Sequence, residues 1–301
     1  MSNTKIKGYI YVLISSFGFS LVPLLAKYSL DNGMNSETML TYRFVIAGLF
    51  FILFTRMKGY SLKVPSKDRI KLIGLGALYA LESAIFFEAF KHISPGFGQL
   101  LFQINPMMVA VAGFFILKEK LTKQKITALI LVITGCCLLF WEPQSYVTMK
   151  GVILVVLAAT FYTSYVIIGK ETLENTRPIV VTTYLTTSCA GFLLVYGFVT
   201  SSLRSIPTVE VGLSIGILTL LSTIVAILAF SIGLKILEAT VASILCATEP
   251  VITVALSYFI YGEALNSIQF IGAIFIVISI VVIDFKFKKD KDVETSSIQE
   301  I

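Results

Sequence analysis

The chain has 301 residues, of which 56% are hydrophobic and only 14% charged, and its mean hydropathy is +0.88. A soluble globule of this composition would have to expose large apolar patches, so that class is excluded, and hydrophobic runs of roughly 20 residues leave room for about ten spans and no soluble domain. The net charge of +6 reads as a device for orienting the chain in a bilayer rather than as a nucleic-acid footprint.

The N-terminal stretch MSNTKIKGYIYVLISSFGFSLVPLLA places basic residues before a long apolar run without a small-residue cleavage pattern, and reads as a first span rather than a signal peptide. Apolar runs then follow one another near 8–26, 36–55, 70–90, 96–117, 124–141, 151–169, 179–200, 209–233, 240–260 and 265–285. With the N-terminus placed inside, 19 of the 24 lysines and arginines fall in inside links and tails. Four fall outside (Lys27, Lys91, Lys150, Arg204) and Arg43 lies within a span. The positive-inside rule therefore puts both termini in the cytoplasm, and the short loops favour a bacterial inner membrane.

Ionisable side chains within a span are costly enough to point to function. Arg43 lies about seven residues into the second run, roughly 10 Å deep at 1.5 Å per residue, and Glu82 reaches a comparable depth in the third, where an Arg43–Glu82 ion pair is geometrically feasible. The bland alternative is that Arg43 snorkels outward and Glu82 finds a hydroxyl. Tyr79 is one helical turn before Glu82 and shares its stripe, whereas Glu88 lies about 120° around the helix and reads as an interfacial ion pair with Lys91 and His92.

Tyr162 and Tyr165, with Thr160, Thr163 and Ser164, form the most polar stretch of the sixth run, opposite Ser16, Phe17, Phe19 and Ser20 of the first. Rings with hydroxyls can clamp an amino acid or an organic cation; equally, they can simply pack helices. The hydroxyl-rich run from Thr182 to Ser188 in the seventh invites the same two readings. Glu249 sits mid-run in ILCATEPVITV, directly before Pro250. Proline there removes an amide and frees carbonyls of the previous turn, and a carboxylate beside such a break can bind a cationic group or take a proton. A structural glutamic acid bonded between helices is the alternative.

The second half of the chain repeats the first. Lys91–Phe140 aligns without a gap on Lys235–Asp284, pairing Pro106 with Pro250, Asn105 with Glu249 and Glu119 with Glu263. Upstream, Gly8–Lys27 aligns on Gly151–Lys170. Five spans per half is an odd number, so the halves are expected to sit in the membrane with opposite orientation, a solute site lying between them. Glu119 and Glu263, after the fourth and ninth runs, read as caps of the helix that follows each.

Two inverted five-span halves, each with a proline in its fourth span and a Glu-x-Leu after it, resemble the drug/metabolite transporter superfamily and its EamA-type family. The expected fold is an all-α integral membrane protein of ten transmembrane helices, with repeats at 5–141 and 149–286 and a polar cytoplasmic tail at 287–301. The resemblance implies secondary transport, commonly export, of a small organic metabolite such as an amino acid or related amine.

The site is expected to draw on Glu249, Glu82, Arg43, Asn105, Tyr79, Tyr162 and Tyr165, with helix breaks at Pro106 and Pro250. Protonation of Glu249, aided by Glu82, would couple transport to protons, while Arg43 would meet a substrate carboxylate. An uncoupled facilitator or importer, and a non-transporting sensor or scaffold, are the alternatives. Cys136, Cys137, Cys189 and Cys246 have no CxxC spacing and His92 is the one histidine, so neither a metal nor another cofactor is expected. No HExxH, GxGD or phosphate-cradling motif points to an enzyme. The partners expected are a solute, the bilayer and protons, without nucleic acid, and the chain is left as a monomer or homodimer.

Overall fold

A computed structural model describes residues 3–140, 147–261 and 266–284, and the regular structure among them is helical apart from an isolated bridge between Ile93 and Val147. The helices are α1 (Asn3–Asp31), α2 (Ser36–Met57), α3 (Ser66–Ala89), α4 (Pro95–Phe102), α5 (Asn105–Phe115), α6 (Lys123–Leu139) and α7 (Met149–Asn175). They continue with α8 (Pro178–Val199), α9 (Val209–Ile217), a π-helical segment (Leu218–Val225), α10 (Ala226–Ile236), α11 (Ala239–Cys246), α12 (Glu249–Tyr261) and α13 (Ser267–Asp284). Eight are long and apolar enough to cross a membrane, counting α4–α5, α9–α10 and α11–α12 as continuous or broken spans. The fifth and tenth runs give shorter helices: α6 has 17 residues, about 26 Å at 1.5 Å per residue.

Helices pair mainly across the two halves. The most extensive packing is α6 on α13, then α3 on α7, α2 on α8 and α1 on α10. Exchanging the halves turns α1-on-α10 into α7-on-α3 and α1 against α11–α12 into α7 against α4–α5, so the contacts themselves carry the two-fold. Without a hydrophobic drive between helices in lipid, close approach relies on small residues. A Cβ on Gly135 would stand 2.8 Å from the Gly272 carbonyl, and one on Gly272 only 2.5 Å from the Gly135 carbonyl, so α6 and α13 touch backbone to backbone. Gly8 meets Leu237 as its repeat counterpart Gly151 meets Ile93, the counterpart of Leu237.

Both broken spans are built alike. After Phe102 the amides of Gln103 and Ile104 reach back only three residues, to Leu100 (3.0 Å) and Leu101 (3.2 Å). Those of Ala247 and Thr248 do the same to Ile244 (3.2 Å) and Leu245 (3.1 Å). The chain restarts at Asn105 and Glu249, with Pro106 and Pro250 in the first turn, where a missing amide costs nothing to the new helix. Pro106 and Pro250 have no N–H to offer the carbonyls four residues back, Phe102 and Cys246.

Candidate functional site

Between the halves lies a cavity of about 910 Å³, within the range of small-molecule sites. Exposed Lys27, Asp31 and Pro95 stand at its rim. Its walls bring together Arg43, Tyr79, Glu82, Asn105, Pro106, Tyr162 and Glu249, six of the seven site residues expected from the sequence and one of the two prolines. Tyr165 is set behind the wall, 3% exposed, with its ring edge-on to Tyr79 (5.1 Å) and Tyr162 (5.7 Å). Pro250 shapes the backbone below Glu249 and does not line the space.

The Arg43–Glu82 ion pair does not form. Arg43, 3% exposed, donates through Nε to Thr223 Oγ1 (2.5 Å) and through Nη2 to the Ser222 carbonyl (3.1 Å). Both partners belong to the π-helical segment, whose wider turn sets aside backbone groups from the regular ladder. Glu82, 8% exposed, accepts instead from Ser83 Oγ at 2.9 Å. Glu249 is half-buried, and among the described residues no ion pair joins it to a base. Cys246 and Glu82 line the same cavity as its carboxyl group. Asn105, 6% exposed, accepts from Thr163 Oγ1 at 3.3 Å.

Aromatic rings make up one wall. Phe86 packs on Phe102 (4.6 Å between centroids) and Phe90 (4.8 Å), and Phe102 on Tyr162 (5.7 Å). Further polar groups on the cavity escaped the sequence reading: Gln99, Gln103, Ser243 and Thr253. Their signal was position, within two turns of a break, rather than residue type. Ser243 Oγ is buried and has no hydrogen-bond partner among the described residues, and Thr253 Oγ1 donates to the carbonyls of Ser20 (3.0 Å) and Glu249 (2.9 Å).

Other hydroxyl stretches serve packing. Thr160 and Ser164 bond carbonyls of their own helix. In the run at 182–188, Thr182 meets Ser231 on α10 (3.1 Å), while Thr183, Thr186 and Thr187 bond the preceding turn. Glu88 pairs with Lys91 at 2.7 Å and lies 3.8 Å from His92, the interfacial arrangement expected. The cysteines are free, and among the described residues no cluster of His, Cys, Asp and Glu could hold a metal.

The end opposite the rim is tied shut by contacts between the halves. Glu119 does not cap the helix that follows it, because Thr122 caps α6. Its carboxylate accepts from the amides of Ala239 (2.6 Å) and Thr240 (3.1 Å) and from Thr240 Oγ1 (2.7 Å), capping α11 in the other half. A positive φ of 58° at Lys118 turns the chain so that Glu119 faces that way. Lys125 forms an ion pair with Glu238. Within the second half, Lys170 donates to the carbonyls of Leu237 (2.7 Å) and Leu234 (2.9 Å) at the same end. Glu263, the counterpart of Glu119, and the tail beyond residue 284 lie outside the described residues.

Comparison with known proteins gives this geometry a family. The EamA-like transporter family model matches residues 6–141 and 149–284. An uncharacterized transporter of Bacillus subtilis, YyaM, is 25% identical over 90% of this chain and 92% of its own length. The riboflavin transporter ImpX of Fusobacterium nucleatum is 28% identical over 77% of this chain and 82% of its own. A protein of known crystal structure superimposes with a TM-score of 0.79 at 18% identity, covering 93% of this chain and 98% of that one, a likeness of fold. With both halves of the chain matched to one family model, the protein belongs to the EamA-like transporter family.

Proposed function

We propose that this membrane transporter is a secondary exporter of a small organic metabolite, an amino acid or related amine, working by alternating access of two inverted five-span halves across a bacterial inner membrane. The observation that carries this reading is the cavity of about 910 Å³, which gathers both helix breaks, Glu82, Glu249 and a wall of rings between the halves. In the orientation set by the positive-inside rule, with ten spans and both termini cytoplasmic, the rim faces outward. A relative named as a riboflavin transporter supports an organic solute.

Glu249 is the proposed coupling group. It faces the cavity without a basic partner and beside a second carboxylate, so a proton or a substrate ammonium is what would neutralise it. Arg43 already spends donors on Thr223 and Ser222, so it serves the wall's shape more than a substrate carboxylate. That shifts the preferred solute toward one bearing a cationic group. Glu82, bonded to Ser83, shares the charge balance of the site.

The test is untargeted mass spectrometry of metabolites inside and outside a host expressing the wild type or Glu249→Gln. A solute exported by the wild type and retained with the variant supports coupling at Glu249. Equal export by both makes the protein an uncoupled facilitator, and solute moving inward reverses the direction.

A further inference from the structure

Of the contacts between the halves that shut one end, the Glu119 clamp aligns on another glutamate, Glu263, but the Lys125–Glu238 pair has no charged counterpart at the open rim. Lys125 and Glu238 align on Gln269 and Ser94. Both counterparts line the cavity. Gln269 Oε1 accepts the Asn266 amide at 3.1 Å, and Ser94 Oγ accepts the Phe97 amide at 3.4 Å as the N-cap of α4. So at the closed end a cation meets an anion across the halves, while at the rim the same two positions hold neutral groups, each turned back to cap its own helix.

We propose that Lys125–Glu238 is a bolt that holds the inner end shut, with Glu119 clamping the α11 terminus beside it, and that Ser94 and Gln269 form the corresponding, weaker bolt at the rim. The inference rests on the alternating-access reading above. Lys125 is 5% exposed, and among the described residues its ammonium otherwise meets only the Lys120 carbonyl, at 2.8 Å. Losing Glu238 leaves a poorly solvated charge, which makes opening at this end unfavourable. A Ser–Gln contact at the rim would lack that electrostatic component. Unequal bolts bias the molecule toward the rim-open state without any ligand, because two states related by exchange of the halves differ in energy only where the repeats differ.

The bias fixes which substitutions move which end. Hydrogen–deuterium exchange of the full chain in lipid nanodiscs, read peptide by peptide, follows α11 and α4 together without needing a solute. Glu238→Lys sets two ammonium groups against each other. It should raise exchange in α11 and lower it in α4 by about 5- to 150-fold, the usual span of a coupling between two sites. The exchanged pair, Lys125→Glu with Glu238→Lys, should restore both. Writing the ion pair into the rim, Ser94→Glu with Gln269→Lys, should protect α4 and release α11.

Loosening of α11 with α4 unchanged, failure of the exchanged pair to restore, or no response to the added rim pair each overturns the proposal. The two readings separate cleanly. Reciprocal exchange in a chain that moves no solute in liposomes supports the bolts and removes the transport function, whereas solute movement with purely local exchange effects does the reverse.

Discussion

The break at Asn105–Pro106 and the break at Glu249–Pro250 share a backbone and differ in charge. Each ends a half-helix with two tightened turns and restarts on a polar residue followed by proline. Asn105 is neutral, 6% exposed and bonded to Thr163, while Glu249 is half-buried and faces a cavity that Glu82 also lines. One break thus carries a neutral, hydrogen-bonded side chain and the other a carboxyl group that, among the described residues, no base pairs with. The backbone device is the same in both halves; on the proposed coupling, the side chain decides which half can change its charge during a cycle.

The most direct way to break this comparison is Glu249→Gln, which should lower solute-coupled proton movement in proteoliposomes on the order of 100-fold while leaving the thermal midpoint unchanged. The mirror substitution, Asn105→Glu, puts a second carboxylate where only a threonine hydroxyl waits. It should destabilise by about 1–3 kcal/mol, the usual cost of a buried polar group left poorly paired, seen as a lower midpoint in detergent unfolding. The prolines sharpen the point: Pro250→Ala returns an amide to the Cys246 carbonyl beside Glu249 and should slow transport about fivefold, with Pro106→Ala slower by less. Smallest of all, Thr163→Val removes the partner of Asn105 and should cost about 1 kcal/mol. A transport loss there as large as that of Glu249→Gln would mean the joints are equivalent after all.

The apolar runs, the repeat and the positions of Arg43, Glu82, Asn105 and Glu249 were legible because each depends on local composition or on similarity between segments. The eight long spans follow from apolar length, and α6 and α13, which start from the caps Thr122 and Asn266, are shorter because the apolar runs behind them are. What the sequence left open was settled by contacts between distant residues. A threonine can bond its own helix four residues back, as Thr183 and Thr187 do, so a hydroxyl stripe does not reveal whether it faces a cavity. Tyr162 and Tyr165 are three residues apart, yet only the first reaches the cavity. Glu119 caps a helix that begins 120 positions further on, at Ala239, and Arg43 finds its partners 179 and 180 positions away; no periodicity encodes such distances. The π-helical segment, too, carries no signal beyond a Ser-Thr pair in an apolar run.

Pairing between the halves has a consequence for how the molecule is made. As the chain leaves the ribosome, α1, α2, α3 and α6 are inserted before any of their main partners, α10, α8, α7 and α13, has been synthesised. Until then their small-residue faces and buried polar groups, Arg43 and Glu82 among them, meet lipid or whatever insertion machinery shields them. Completion of the second half is therefore the moment of assembly, and a truncated product should be a target for membrane proteases rather than a smaller stable bundle. The same dependence means that the two halves, synthesised as separate polypeptides in one cell, carry on their facing surfaces what they need to find each other.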